Sequence, residues 1–404
     1  MRSLLLALFG LVSGSALAEP SCDVALPARL DALIERAITE KRLVGTVVLV
    51  ARDGQIIYRR GAGLADREAG KAMSENAIFR FASVSKPIVM AAFMRMVEQG
   101  RFSLSDSVTR YLPNFRPRLA DGSIPTITLH QLATHSSGLS YRLLEPVGSP
   151  YHDLDISDGL DQPGLTLAEN LRRLGRAPLA FPPGQGWRYS LGIDVIGGVM
   201  EAATGETLPA LIERLVTGPL GMADTGFGVS DTARLAVPYA DGSPEPVRIK
   251  DGDVIPLFGG AVRFSPSRVF DPGSYASGGA GMTGSAPDFL RLLEALRTGG
   301  ASILSRGTVE RMAAPQIAAD AATQGPGWGF GYGWAVLVDP KASGTPQSSG
   351  TLQWGGVYGH NWFVDPAARL SVVALTNTAF EGMSGRFTVE LRDAIYGPEA
   401  CRRN

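Results

Sequence analysis

Ser83-Val84-Ser85-Lys86 places a hydroxyl and an amine three residues apart at the start of an apolar run. On a helix that spacing puts both groups on one face, within reach of each other. A serine at a helix N-terminus also sits among free backbone N–H groups, which favour a developing oxyanion. Burial or nearby positive charge would depress the lysine pKa and make Lys86 a base. The plainer alternative is that Ser83 only caps the helix and Lys86 is solvated, since S-x-x-K alone arises often by chance. Tyr189-Ser190-Leu191 supplies a phenol able to relay protons to and from such a pair, or simply a packed tyrosine. Trp354-Gly355-Gly356 opens a strand whose glycines allow close approach by a ligand. An N–H of that strand can complete an oxyanion hole.

The surrounding pattern has to bring these distant segments together. Leu30, Leu33, Ile34, Ala37 and Ile38 recur at helical spacing within residues 28–42. Thr46–Ala51 and Gln55–Tyr58 flank Asp53-Gly54 and predict a hairpin. Ile78–Ala82 reads as extended and leads into a buried helix from Ser83 to Gln99, closed by Gly100. The middle third is loop-rich, with helices at Asp194–Ala203, Leu208–Val216 and 286–298. Tyr332–Val338 then begins a strand series. Asn361–Val364 and Leu370–Thr376, split by Asp365-Pro366, form a second hairpin before a helix at Arg386–Tyr396. The expected fold class is α+β. An antiparallel sheet from both ends of the chain is flanked by N- and C-terminal helices, and residues of roughly 80–290 form an inserted, mainly helical lobe. A cleft between the lobes is the natural place for a site.

Composition narrows the possibilities. The 404 residues are 45% hydrophobic and 19% charged, enough to bury a large core and too apolar for disorder. Lys and Arg number 38 against 39 Asp and Glu, so no basic field exists for nucleic acid. Arg2, the run Leu4–Val12 and Ala16-Leu17-Ala18 read as a signal peptide over 1–18, too short to span a bilayer. The mature protein, 19–404, is therefore expected in the periplasm or secreted, without a membrane span, and a monomer is the favoured state. Cys22 and Cys401 could pair under oxidising conditions or remain two free thiols. His130, His135, His152 and His360 form no zinc pattern. His152 with Asp153, Asp155, Asp158 and Asp161 offers at most a weak divalent-ion site, with a solvated acidic loop the favoured reading. No other cofactor is expected, and no Gly-x-Ser-x-Gly pentapeptide occurs.

Taken jointly, Ser83-x-x-Lys86, Tyr189 and the Gly-Gly strand resemble the serine β-lactamase and penicillin-binding superfamily. Leu132-Ala133-Thr134-His135-Ser136-Ser137-Gly138-Leu139, Gly218-Pro219-Leu220-Gly221-Met222 and Gly278-Gly279-Ala280-Gly281-Met282 are similar to segments of class C β-lactamase relatives. Ser-Val-Ser-Lys, Tyr-Ser-Leu and Trp-Gly-Gly-Val-x-Gly resemble family VIII carboxylesterases most closely. The resemblance implies an acyl-serine hydrolase acting on a small acyl substrate, with Ser83 as nucleophile and Lys86 and Tyr189 sharing the proton. It also implies an oxyanion hole from the Ser83 and Val357 N–H groups, with Leu191, Trp354, Gly355 and Gly356 lining the substrate site. Two positions depart from class C enzymes: Leu191 stands where they have Asn, and Trp354-Gly355-Gly356 where they have Lys-Thr-Gly. Both changes make the site more apolar and remove a cation that would hold a penicillin carboxylate. The expected substrates are β-lactam amides or small esters. A penicillin-binding module or a D-amino-acid peptidase is the alternative.

Overall fold

In the computed structural model, which describes residues 25–397 except 319, 320 and 322, strand β1 (Gly45–Arg52) is apolar at successive positions because both its faces are covered. Val48 and Val50 point to one side and Val47 and Leu49 to the other, as the two-residue period of a strand requires. β1 pairs with β2 (Gln55–Asp66) through a turn in which Asp53 and Gly54 both have positive φ, the twist a two-residue hairpin needs. β3 (Lys71–Ala72) continues that edge. The other half of the sheet comes from β4 (Trp328–Phe330), β5 (Ala335–Leu337), β6 (Leu352–Gly356), β7 (His360–Asp365) and β8 (Leu370–Thr376). The order is β4-β5-β6-β7-β8-β1-β2-β3, antiparallel throughout. The two ends of the chain thus meet at the β8–β1 pair.

Helices cover both faces. α1 (Leu26–Thr39) lays Leu26, Leu30, Leu33 and Ile34 on one face. It lies beside the C-terminal helix, with Arg29 Nε donating to the Ala394 carbonyl at 2.8 Å. α2 (Ser85–Glu98) is buried on almost every side, the signature of a central helix. α3 (Gly192–Thr204) packs beside it, and Gly192 is required there because a Cβ would meet the Leu132 carbonyl oxygen at 2.4 Å. α4 (Ala286–Arg297) covers the second face of the sheet through Phe289 and Leu293, and α5 (Arg386–Tyr396) completes the first face through Phe387 and Leu391.

Several expectations are corrected. The strand expected at Tyr332–Val338 is shorter, β5 at Ala335–Leu337: Tyr332–Trp334 belong to a tight turn, closed by Gly331 N–H to Trp334 C=O, that joins it to the unexpected strand β4 before it. The central segment, read as mainly helical, also carries short antiparallel pairs: Val254–Leu257 with Gly260–Arg263, and Tyr239–Ala240 with Val247–Arg248. The acidic loop is solvated only in part, at Asp153 and Asp155. Asp158 and Asp161 are buried, Asp158 accepting the Arg142 and Leu143 N–H groups at 2.7 and 2.8 Å, and Asp161 pairing with Arg263. Among the described residues no cluster of three His, Cys, Asp or Glu could hold a metal ion. No described helix is long and apolar enough to cross a membrane. The leader-like residues 1–18, Cys22 and Cys401 lie outside the described residues.

Candidate active site

Ser83 lies in a 3-10 turn, Ala82–Val84, that runs directly into α2. Ala82 has φ +46°, a left-handed conformation that a non-glycine residue adopts at a cost. Ser83 does not cap the helix: its Oγ accepts from Lys86 Nζ at 3.0 Å and from Tyr189 OH at 2.7 Å. Lys86 is wholly buried, and its ammonium also donates to the Gly279 carbonyl at 2.7 Å. Burial pushes its pKa down from 10.5 to about 7, against the upward pull of Asp194 and Asp158. When the amine is neutral, the Ser83 contact reverses and Oγ–H donates to Nζ.

Tyr189 precedes α3 and is fixed by the loop after Ala133. Arg188 N–H donates to the His135 carbonyl at 2.9 Å, and Ser190 N–H to His135 Nδ1 at 3.3 Å. Aromatic rings hold the phenol on three sides: His135, Tyr141 and Trp354, at centroid distances of 4.8, 4.9 and 5.2 Å. Burial raises the Tyr189 pKa well above the ordinary value, eased only partly by its hydrogen bonds to Ser83 and Trp354. The phenol therefore stays protonated at neutral pH. Burial, helped by Lys86, also keeps the His135 imidazole neutral. The Trp354 indole N–H reaches Tyr189 OH at 3.3 Å, so the residue in place of a lysine contacts the relay itself.

β6 closes the site from the far side. A Cβ on Gly356 would meet the Phe81 carbonyl oxygen at 2.4 Å, and one on Gly355 the His360 carbonyl oxygen at 2.5 Å. The strand end is thus pressed against the turn that carries Ser83. Gly356→Ala is expected to lose about 1–3 kcal/mol of stability and to lower kcat, because relief of the clash must move that turn. Thermal melting with steady-state kinetics checks this; an unchanged Tm and full activity would contradict it.

The structure brings Ser83, Lys86, Tyr189 and Trp354 together, with Gly355 and Val357 beside Ser83 on the wall of one cavity of about 610 Å³. Leu191 is not on that wall: it is 0% exposed and packs in the core, because the chain turns inward there to start α3. Sequence reasoning missed three groups. The Tyr141 ring lies 5.2 Å from Lys86 Nζ, and the Gly279 carbonyl binds that amine. Asp194 is buried and accepts from Ser277 Oγ at 2.5 Å, fixing the loop that carries Gly279. Burial raises the Asp194 pKa, with Ser277 and Lys86 pulling it back. A carboxylate inside the apolar run Ile193–Met200 was the one available signal for it.

An α+β fold holding a serine hydroxyl between a buried amine and a buried phenol defines a class of serine hydrolases. The Beta-lactamase family matches residues 30–395, and the chain belongs to that family. It is 59% identical over 380 residues to Esterase EstB of Burkholderia gladioli, spanning 93% of this chain and 97% of that protein. The solved structure of EstCE1, described as a hydrolase with promiscuous acyltransferase activity, is 50% identical with a TM-score of 0.91, covering 93% of this chain and 99% of that one. A simvastatin synthase from Aspergillus terreus, 21% identical with a TM-score of 0.72 over 95% of this chain and 98% of its own, shares the fold. The protein is a serine hydrolase.

Proposed function

We propose that the enzyme hydrolyses uncharged carboxylic esters through an acyl-Ser83 intermediate, and that it does so after export. The observation that carries this reading is the cavity wall: no Lys, Arg or His lines it among the described residues, and Trp354 stands beside Tyr189. The acid that does line it, Asp158, has its pKa pushed up to about 8 by burial and by Asp161, and it supplies no positive charge in either protonation state. A penicillin or cephalosporin carboxylate finds no cationic partner there, whereas a neutral ester needs none. The likeness to Esterase EstB supports the same reading. Export is supported by the leader-like residues 1–18.

In the mechanism, Ser83 Oγ forms a bond to the acyl carbon as its proton passes to the neutral Lys86 amine. The oxyanion is held by the Ser83 and Val357 N–H groups. Tyr189 donates its proton to the departing alkoxide and is resupplied from Lys86. Water then attacks the acyl-serine, losing a proton to the same pair, which delivers it to Ser83 Oγ as the Ser83–acyl bond breaks and the carboxylic acid leaves. Because Lys86 works as the free base, kcat/KM should rise with pH through about 7. It should then hold a plateau up to pH 10.0, the ordinary tyrosine pKa, since the Tyr189 phenol remains protonated.

The test measures purified mature protein on p-nitrophenyl acetate and butyrate, a chromogenic cephalosporin and a D-Ala-D-Ala peptide across pH 5–10. Ester turnover with the single rising limb is expected. Faster cephalosporin turnover, peptide cleavage, or a permanent cephalosporin adduct without ester turnover would overturn the reading.

A further inference from the structure

The hairpin Val254–Leu257/Gly260–Arg263 has an unusual tip. Phe258 is 73% exposed and has φ +48°, followed by Gly259 at φ +84°. A left-handed turn of this kind ordinarily takes Asn, Asp or Gly, because a bulky side chain is strained there. An exposed aromatic ring adds a second cost, since it gains nothing from burial. Phe258 nevertheless lines the mouth of the cavity that contains Ser83.

The hairpin is also anchored where it stands. Gly260 lies so close to the loop before the buried Asp158 that a Cβ would meet the Leu143 carbonyl oxygen at 1.9 Å. Leu143, Leu144, Leu160 and Leu257 line the same cavity as Phe258. α5 contributes Val389, itself 48% exposed, to the lining of the same cavity. Two exposed apolar side chains thus border a cavity several times larger than an acetyl ester requires.

We infer that Phe258 is a specificity-determining residue, covering an apolar group of the ester substrate that extends from Ser83 through the leucine-lined cavity to the mouth. The substrate class is then an ester with a medium-length alkyl or an aryl group on its acyl or its alcohol side. This rests on the ester reading above. In the native enzyme the substrate supplies the burial that Phe258 lacks, which accounts for an aromatic ring at a position suited to Asn.

The test uses Phe258→Asn, which the left-handed backbone accommodates, in two series: p-nitrophenyl esters from acetate to decanoate, and alkyl acetates from ethyl to octyl. The ratio of kcat/KM for the longest to the shortest substrate is expected to fall about 5- to 20-fold in at least one series, mainly through KM. Phe258→Leu should recover most of that ratio, and Phe258→Asn should melt no lower than the parent. The series that responds identifies which side of the ester Phe258 covers. A ratio that stays flat in both series, whatever the overall rate, overturns the inference. Failure of the ester reading itself would show separately, as absent turnover of every ester by the parent enzyme.

Discussion

Ser83→Ala is expected to lower kcat/KM for an activated ester by about 10⁴-fold or more while leaving the fold intact. The hydroxyl is the shared acceptor for Lys86 Nζ and Tyr189 OH, so its loss removes the acyl acceptor and the point where the two proton carriers meet. Lys86 keeps the Gly279 carbonyl. Tyr189 still accepts from the Trp354 indole N–H, and its own O–H, which loses its acceptor, lines a cavity where water can take that place. The void left is one oxygen atom at a cavity wall. Unchanged circular dichroism and Tm, with turnover near background, are the expected readings. Activity within tenfold of the parent would remove Ser83 from the chemistry.

Lys86→Met is expected to lower kcat by about 10³- to 10⁴-fold and, unusually, to raise stability at low pH. The native pKa of Lys86, about 7, lies below the 10.5 of a free lysine, so between those values the unfolded chain binds a proton that the folded chain does not. Stability of the parent therefore rises with pH across that window, and the penalty for burying the charge is fully felt below pH 7. Methionine has a similar unbranched shape and no charge, so the penalty vanishes. The Gly279 carbonyl loses its donor, which offsets part of the gain. The difference in Tm between variant and parent should be larger at pH 6 than at pH 9. A difference that does not change with pH would mean that Lys86 is not held in a proton-poor environment.

What the sequence made legible is what local pattern controls. α2 carries an apolar residue at nearly every position, the β1–β2 hairpin has its Asp53-Gly54 turn, and α5 has a clear apolar face, and all three stand where the pattern puts them. Ser83 and Lys86 were readable because both lie in one short segment. Tyr189 and Trp354 became readable only through their joint resemblance to known enzymes. Tyr141, Asp194 and the Gly279 carbonyl were not readable, because nothing in their spacing points to Lys86 and only the tertiary fold brings them near it. The acidic loop misled for a related reason. Its charge density suggests water, but Arg263 lies about a hundred residues away and the Arg142 and Leu143 N–H groups come from a separate loop. The hairpin bearing Phe258 was missed because four-residue strands give too few positions to show a period.

The whole account depends on Ser83 being the atom that takes the acyl group. An aryl phosphonate ester tests this directly, because it leaves a stable tetrahedral adduct on an activated serine instead of one that water removes. Intact-mass and peptide mapping should find one phosphonyl group, on the peptide containing Ser83, accumulating in step with loss of ester turnover. Turnover that disappears while the label sits on another residue, or that persists once Ser83 is fully labelled, would contradict it.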